Sequence, residues 1–256
     1  MTLSQLEKGE AFRALHESEP FVIPNPWDAG SAKALAKLGF QALASTSGGF
    51  AQTLGRSDGE VSLDEAVDHT RVLDRATDLP VSMDLENGYG PEPADAALAI
   101  TSVAAAGAVG GSIEDWDRDG SFIYDLDHSA ARVAAAADAA RALDFPFTLT
   151  ARSENHFRGN PDLEDTIRRL QAYEAAGADV LYAPGLRTEE EIRSVCAAVS
   201  KPVNALAFPD MSMNRIHAAG AQRVSLGSWL AQIALGAMVT AASAIRDSGD
   251  FSALSA

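Results

Sequence analysis

Two short stretches bring acids to the ends of apolar runs: Val81-Ser82-Met83-Asp84-Leu85-Glu86 and Gly111-Ser112-Ile113-Glu114-Asp115. Each reads as a buried β-strand that finishes in carboxylates. Burying an ionised acid without compensation costs several kcal/mol, so such clustering is not a device for stability. Capping of a following helix explains one acid in each stretch. It leaves Asp84 and Glu86 unexplained ahead of the sharp turn Asn87-Gly88-Tyr89-Gly90. A divalent cation accounts for them, because it turns mutual repulsion into attraction. Hard oxygen donors with no His or Cys in ligand spacing select Mg²⁺ or Mn²⁺. Mg²⁺ keeps several waters, so Asp84 is the expected direct ligand, with Glu86 and Glu114 acting through water.

A cation follows the acids. Arg152 stands one residue past the apolar run Thr148-Leu149-Thr150-Ala151. It could be a structural ion-pair partner of those acids, or a fixed fork for a substrate carboxylate or a developing enolate oxygen. The segment Thr46-Ser47-Gly48-Gly49 reads as a loop whose consecutive N–H groups can face an anion. Metal, fork and amides together suit a 2-oxo acid, whose charge they would stabilise while the bond to C3 is made or broken.

The elements that must position these residues follow from a small repeat. Leu38-Gly39-Phe40, Ala106-Gly107-Ala108, Ala176-Gly177-Ala178 and Ala219-Gly220-Ala221 each close an Ala-rich helical stretch and open an aliphatic run. Glycine past a helix end adopts the left-handed conformation that turns the chain into a strand. Strands are expected at Phe21–Pro24, Gln41–Ser45, Val81–Leu85, Val109–Ile113, Phe147–Ala151, Val180–Ala183, Val203–Leu206 and Arg223–Leu226. Helical periodicity fills the intervals, as in Leu63–Ala76, Pro93–Ala105, Ser129–Leu143, Leu163–Ala175, Thr188–Val199 and Ser212–Ala218. Eight β/α units without a Pro- or Ser-rich linker imply an α/β fold, one (β/α)8 TIM barrel spanning residues 1–256. An open doubly wound sheet is the alternative, but Asn25-Pro26-Trp27-Asp28 stands where its glycine-rich fingerprint would be.

Barrel active sites lie at the carboxyl ends of the strands. Those ends carry Asn25, Trp27 and Asp28; Thr46, Ser47 and Gly48; Asp84 and Glu86; Glu114 and Asp115; Arg152 and Glu154; and, near the middle of its strand, Asn204. Trp27, Thr46, Ser47, Gly48, Arg152 and Asn204 are the candidate substrate contacts.

Composition narrows the partners. The 256 residues are 46% hydrophobic, and 36 acidic against 20 basic residues give a net charge of −16. Nucleic-acid binding needs a basic face and is not expected. No apolar run approaching a membrane span is evident, so no membrane partner is expected. The lone Cys196 rules out an intrachain disulfide and fits a reducing compartment, with the cytoplasm as the expected location.

These motifs are similar to those of the isocitrate lyase / phosphoenolpyruvate phosphonomutase superfamily along nearly the whole chain. Asp84-Leu85-Glu86-Asn87-Gly88-Tyr89-Gly90 resembles that family's D-x-D-x-G-Y-G, Ser112-Ile113-Glu114-Asp115 its I-E-D, and Thr150-Ala151-Arg152-Ser153 its A-R-T/S. Ser45-Thr46-Ser47-Gly48 resembles the substrate loop, and Gly55-Arg56-Ser57-Asp58 supplies a metal-shell aspartate, Asp58. The resemblance implies a (β/α)8 barrel, Mg²⁺, an enolpyruvate-type intermediate, and a homodimer or homotetramer, often with the last helix exchanged between subunits. Two features depart from it. Glu86 replaces an aspartate. The loop after the fourth strand, Trp116-Asp117-Arg118-Asp119-Gly120-Ser121-Phe122-Ile123-Tyr124, has neither the lyases' K-K/R-C-G-H nor the mutases' K-T/R-N-S.

The leading expectation is a Mg²⁺-dependent carbon–carbon lyase or decarboxylase acting on a small 2-oxo or 2-hydroxy di- or tricarboxylate. Decarboxylation tolerates the missing thiol best. Arg152, Glu114 and Tyr124 are the candidate catalytic residues, with Arg118 and Asp117 as further groups able to move protons. Carbon–phosphorus chemistry on phosphonopyruvate is the alternative, with Arg118, Arg56 and Arg158 as candidate phosphonate contacts. A non-catalytic 2-oxo acid binder is the third reading.

Overall fold

The structure, a computed structural model, describes residues 3–254, so the expected domain of 1–256 runs past it by two residues at each end. Strands β1 (Phe21–Ile23), β2 (Leu43–Ala44), β3 (Val81–Asp84) and β4 (Gly110–Glu114) precede a two-stranded hairpin, β5 (Trp116–Asp117) and β6 (Phe122–Ile123). Strands β7 (Thr148–Arg152), β8 (Val180–Tyr182), β9 (Val203–Leu206) and β10 (Arg223–Ser225) complete the set. Apart from the hairpin, the strands form one eight-stranded parallel sheet in the order β1-β10-β9-β8-β7-β4-β3-β2. The Ala44 amide donates to the Pro24 carbonyl at 3.1 Å, drawing the two outer strands together. The protein is a (β/α)8 barrel.

The four glycine turns behave as the repeat requires. Gly39, Gly107, Gly177 and Gly220 have φ of 91°, 115°, 107° and 107°, so each ends its helix left-handed and releases the chain into the next strand. Helices Leu63–Ala76 and Leu163–Ala175 begin and end where periodicity places them, and capping boxes at Ser62 and Thr188 fix two helix starts.

Two helices outside the repeat add to this frame. Gln5–Leu15 is a helix, and its Phe12 closes the amino end of the barrel with Phe21, Ile23, Ala42 and Val109. A side chain on Gly110 would lie 2.7 Å from the Phe12 ring, so that strand position must stay bare. The second concerns membranes. Trp229–Ser248 forms a 20-residue helix of mean hydropathy 1.3, which by length and composition alone could cross a bilayer. Its apolar residues are spread among alanines and lone polar residues, so no unbroken run marks it in the sequence. Only Ala231 of this helix is buried, while Ile233, Met238 and Val239 are exposed.

Candidate active site

The carboxyl ends of β3, β4 and β7 sit side by side, with Asp84 registered against Ser112 and Glu114 against Arg152. Side chains that repel in isolation therefore meet at one mouth. Arg152 Nη1 lies 3.5 Å from Asp84 Oδ1 and 3.2 Å from Glu114 Oε2. Its Nε donates to Glu154, whose side chain is fully buried. Burial works against the guanidinium charge, but Glu114, Glu154 and Asp84 hold it firmly protonated. Burial pushes the Glu114 carboxyl well up, with Glu154 and Asp84 adding to the rise and Arg152 and Arg158 opposing it.

The turn after β3 is strained. Glu86 and Tyr89 adopt left-handed φ of 49° and 66°, conformations that cost non-glycine residues of the order of 1 kcal/mol and persist where the surroundings enforce them. Arg132 supplies that enforcement. Buried beneath the turn, it donates to the carbonyls of Asn87, Gly90 and Pro91. Glu86 is thereby aimed into the mouth, where its Oε2 pairs with Arg118 at 2.9 Å and its Oε1 is buried without a partner. Burial raises Glu86 to about 7, against the pull of Arg118 and with help from Asp84 and Asp58.

A cavity of about 400 Å³ opens over these groups, with Ser47, Asp58, Glu86, Glu114, Arg118, Arg152 and Arg158 on its wall. Beneath it, inside the barrel, a cavity of about 60 Å³ is bounded by Asn25, Thr46, Asp84, Arg152 and Asn204. Burial raises the Asp58 carboxyl, and Asp84 adds to the rise. A further cleft of about 570 Å³ lies at the opposite end of the barrel near Arg13, Asp144 and Lys201, away from all of these acids.

The four acids named as metal ligands are thus brought to one mouth, but they do not converge into a direct cage. Among the described residues no three His, Cys, Asp or Glu side chains stand in ligating positions. The residues nevertheless fit Mg²⁺. The donors are all carboxylate oxygens, one buried Glu86 oxygen has no partner, and Mg²⁺ needs only one or two acids besides water.

The substrate contacts divide. Ser47 opens a helix, Ser47–Thr53, capped by Thr46, so the expected loop is helical and the Ser47 amide is already donated to Asp84 Oδ2 at 3.1 Å. A side chain on Gly48 would meet Ser228 Oγ at 2.9 Å and the Asp58 carboxyl at 3.3 Å, so glycine lets that loop approach the acids. Thr46 shares a hydrogen bond with Ser228, and Asn204 is held by Arg223 and Ser225 in the barrel interior. Trp27 packs behind Gly49 and is on the wall of neither cavity. Arg56 turns outward to Glu65, away from the mouth.

Tyr124 is the largest departure. It is buried, and the Asn87 side-chain amide donates to its hydroxyl at 3.2 Å. Its ring covers Arg132, and burial lifts its pKa to about 12. The hairpin register turns the ring inward beneath the Asn87 turn, so it lines neither cavity and is poorly placed to move protons. Asp115 is also structural: it accepts from the Tyr173 hydroxyl, from Arg169 and from the Glu154 amide. Sequence reasoning gave no role to Glu154, Arg132 or Tyr173. Only the position of Glu154, two residues past Arg152, hinted at one.

Fold and mouth together define a barrel enzyme built to handle small anions beside clustered acids. Residues 12–246 match the phosphoenolpyruvate phosphomutase family, and the chain belongs to it, within the superfamily of lyases and mutases that its motifs resemble. It is similar to a candidate lyase/mutase from Burkholderia cenocepacia J2315, whose crystal structure aligns at a TM-score of 0.95 with 51% identity, over 98% of this chain and 92% of the other. It is 30% identical over 209 residues to the 2-methylisocitrate lyase of Halalkalibacterium halodurans, covering 78% of this chain and 67% of that one. It is 29% identical over 210 residues to the oxaloacetate decarboxylase of Bradyrhizobium diazoefficiens, covering 75% of this chain and 71% of that one.

Proposed function

We propose that this enzyme is a Mg²⁺-dependent carbon–carbon lyase or decarboxylase that acts on a small 2-oxo or 2-hydroxy di- or tricarboxylate through a pyruvate-type enolate. The observation that carries the reading is Arg152, a buried planar fork set between Asp84 and Glu114 at the mouth. Asp84 would hold Mg²⁺ directly, with Asp58, Glu86 and Glu114 reaching it through water. Mg²⁺ supplies a positive charge that polarises the 2-oxo group. Arg152 binds the substrate anion and balances negative charge developing on the C2 oxygen. The hairpin contributes no thiol, lysine or histidine, which favours a reaction needing no acid from that loop before C–C cleavage.

The test is a panel of oxaloacetate, methylisocitrate, dimethylmalate and phosphonopyruvate with Mg²⁺, read by release of pyruvate or glyoxylate. Mg²⁺-dependent turnover of a carboxylate supports the reading. Phosphate release from phosphonopyruvate alone moves the protein to carbon–phosphorus chemistry, for which Arg118 and Arg158 on the cavity wall offer cations. Oxalate binding with no turnover on the panel makes it a binder.

We further propose that the enzyme works as a homodimer or homotetramer in the cytoplasm. The exposed apolar face of Trp229–Ser248 supports assembly, since Ile233, Met238 and Val239 would otherwise face water. Light scattering on an Ile233→Glu, Val239→Glu double variant checks it. A parent that is already monomeric would exclude it.

A further inference from the structure

A buried glutamate must be paired, and Glu154 is paired twice. Its Oε1 accepts from Arg152 Nε and its Oε2 from Arg158 Nε at 3.1 Å. Glu114 faces the same two cations from the other side. Its Oε2 lies 3.2 Å from Arg152 Nη1 and its Oε1 3.6 Å from Arg158 Nη2. Arg152, Glu114, Arg158 and Glu154 therefore close a square in which each acid faces both arginines. Its geometry comes from the backbone, since the chain after β7 makes one helical turn in which the Arg158 amide donates to the Glu154 carbonyl at 2.9 Å. The Glu154 amide is pinned in turn to Asp115 Oδ1.

The square uses only the inner edges of its arginines. Arg152 Nη2 and Arg158 Nη1 have no hydrogen-bond partner among the described residues, and both side chains line the outer cavity. Arg158 also lies over the Trp116 ring at 4.4 Å, which holds its plane and lowers the entropy lost when it binds. A third arginine on this wall, Arg118, donates through Nη1 to Glu86 and to the Val61 carbonyl and lies on the hairpin side of the mouth. Two rigid forks thus stand side by side, one deep and one nearer the surface.

We infer that Arg158 is the specificity-determining residue that takes a second, distal carboxylate, so that the substrate is a 2-oxo or 2-hydroxy dicarboxylate or larger polycarboxylate and not a monocarboxylate. The inference rests on the function proposed above, which assigns the head of the substrate to Arg152 and the acids. A planar fork bound to a carboxylate gives charge-assisted hydrogen bonds in pairs. Because Arg158 holds Glu154 through Nε, its unpartnered Nη1 can take that carboxylate without stripping Glu154 of its partner.

Calorimetry with Mg²⁺ present tests this on two pairs of probes that differ only in the distal group: 2-oxoglutarate against 2-oxopentanoate, and malate against 2-hydroxybutyrate. In the parent at least one dicarboxylate should bind about tenfold or more tightly than its partner, the size expected of a charged hydrogen bond. Arg158→Gln should bring that preference to within about twofold while oxalate, which has no distal group, binds as before. Arg158→Lys should keep part of it, since the charge stays and the fork is lost. A parent without preference, or a preference that survives in Arg158→Gln, overturns the inference. So does loss of oxalate together with the dicarboxylates in that variant, which would make Arg158 a support for Arg152. A parent that binds no oxalate fails at the mouth itself, and the proposed function falls first.

Discussion

Arg118 on the hairpin and Glu86 after β3 meet at 2.9 Å, joining the hairpin over the mouth to an acid held at a left-handed φ of 49°. Arg118 is the only ionic partner of that carboxylate among the described residues, and Glu86 Oε1 has no partner at all. Arg118→Ala should therefore leave a buried acid uncompensated. Loss of a partner to a buried charged group costs about 1–3 kcal/mol, and at this chain length each kcal/mol lowers the melting temperature by about 2–4 °C. The metal-free variant should melt several degrees below the parent, and Mg²⁺ should restore more of that loss than it adds to the parent. Melting curves with and without Mg²⁺ check both. Equal Mg²⁺ increments in the two proteins would separate Glu86 from the metal.

Asp84 is the acid assigned to direct metal contact, with Oδ2 on the Ser47 amide and Oδ1 facing Arg152 and Ser112. Asp84→Ala should abolish Mg²⁺ binding in calorimetry and any rise in melting temperature on adding Mg²⁺. Asp84→Asn keeps an acceptor for Ser47 and removes the charge, so it should fail to bind Mg²⁺ while melting close to the metal-free parent. Mg²⁺ binding by Asp84→Ala at the strength of the parent would show the assignment to be wrong.

How far these sites could be read from the sequence depended on what is locally encoded. Helix-closing glycines report a backbone conformation that few other residues adopt, so Gly39, Gly107, Gly177 and Gly220 disclosed the β/α alternation. Parallel strand pairing then carried Asp84, Glu114 and Arg152 to one mouth. Tyr124 was illegible because the hairpin register, set by pairing of Trp116 with Ile123, turns its ring inward. The helix at Ser47–Thr53 was hidden by Gly48 and Gly49, poor helix formers held there by the Thr46 cap. The pairing of Glu154 with Arg158 depends on a single turn after β7, which no periodicity announces. Exposure of Trp229–Ser248 is likewise a tertiary property, since its composition equally suits a buried helix.

Cys196 lies in helix Glu189–Ala198, packed towards Gly220, where a side chain would come within 3.4 Å of its sulfur. Burial pushes its thiol up to about 11, so little thiolate forms near neutral pH. It is on the wall of neither active-site cavity. Alkylation should be slow in the folded protein, and Cys196→Ser should keep kcat within about twofold, as expected of a change remote from the chemistry. Rapid inactivation by a thiol reagent, blocked by substrate, would return the cysteine to the mechanism.

His16 gives the fold a dependence on pH that is separable from the site. Its Nδ1–H donates to the Phe12 carbonyl, and its Nε2 accepts from Arg223 at 3.2 Å, an arrangement open only to the neutral ring. Burial, reinforced by the Arg223 charge, lowers its pKa from 6.5 to about 3. The unfolded chain therefore binds the proton first. The stability this ring contributes is fully present above about pH 6.5 and is lost as the pH falls towards 3. Between about pH 6.5 and about pH 5 that loss is about 2 kcal/mol. Glu86 acts in the opposite sense: its carboxyl is raised from 4.5 to about 7, so it stabilises the fold below 4.5 and loses that effect as the pH rises. The two trends oppose each other in the parent, and a difference measurement isolates the histidine. His16→Gln keeps an acceptor for Arg223 and does not titrate. Urea unfolding across this range should show the variant losing less stability on acidification than the parent by about 2 kcal/mol. Parallel pH profiles for the two proteins would mean that His16 binds its proton as readily folded as unfolded, and that the Arg223 contact does not hold it neutral.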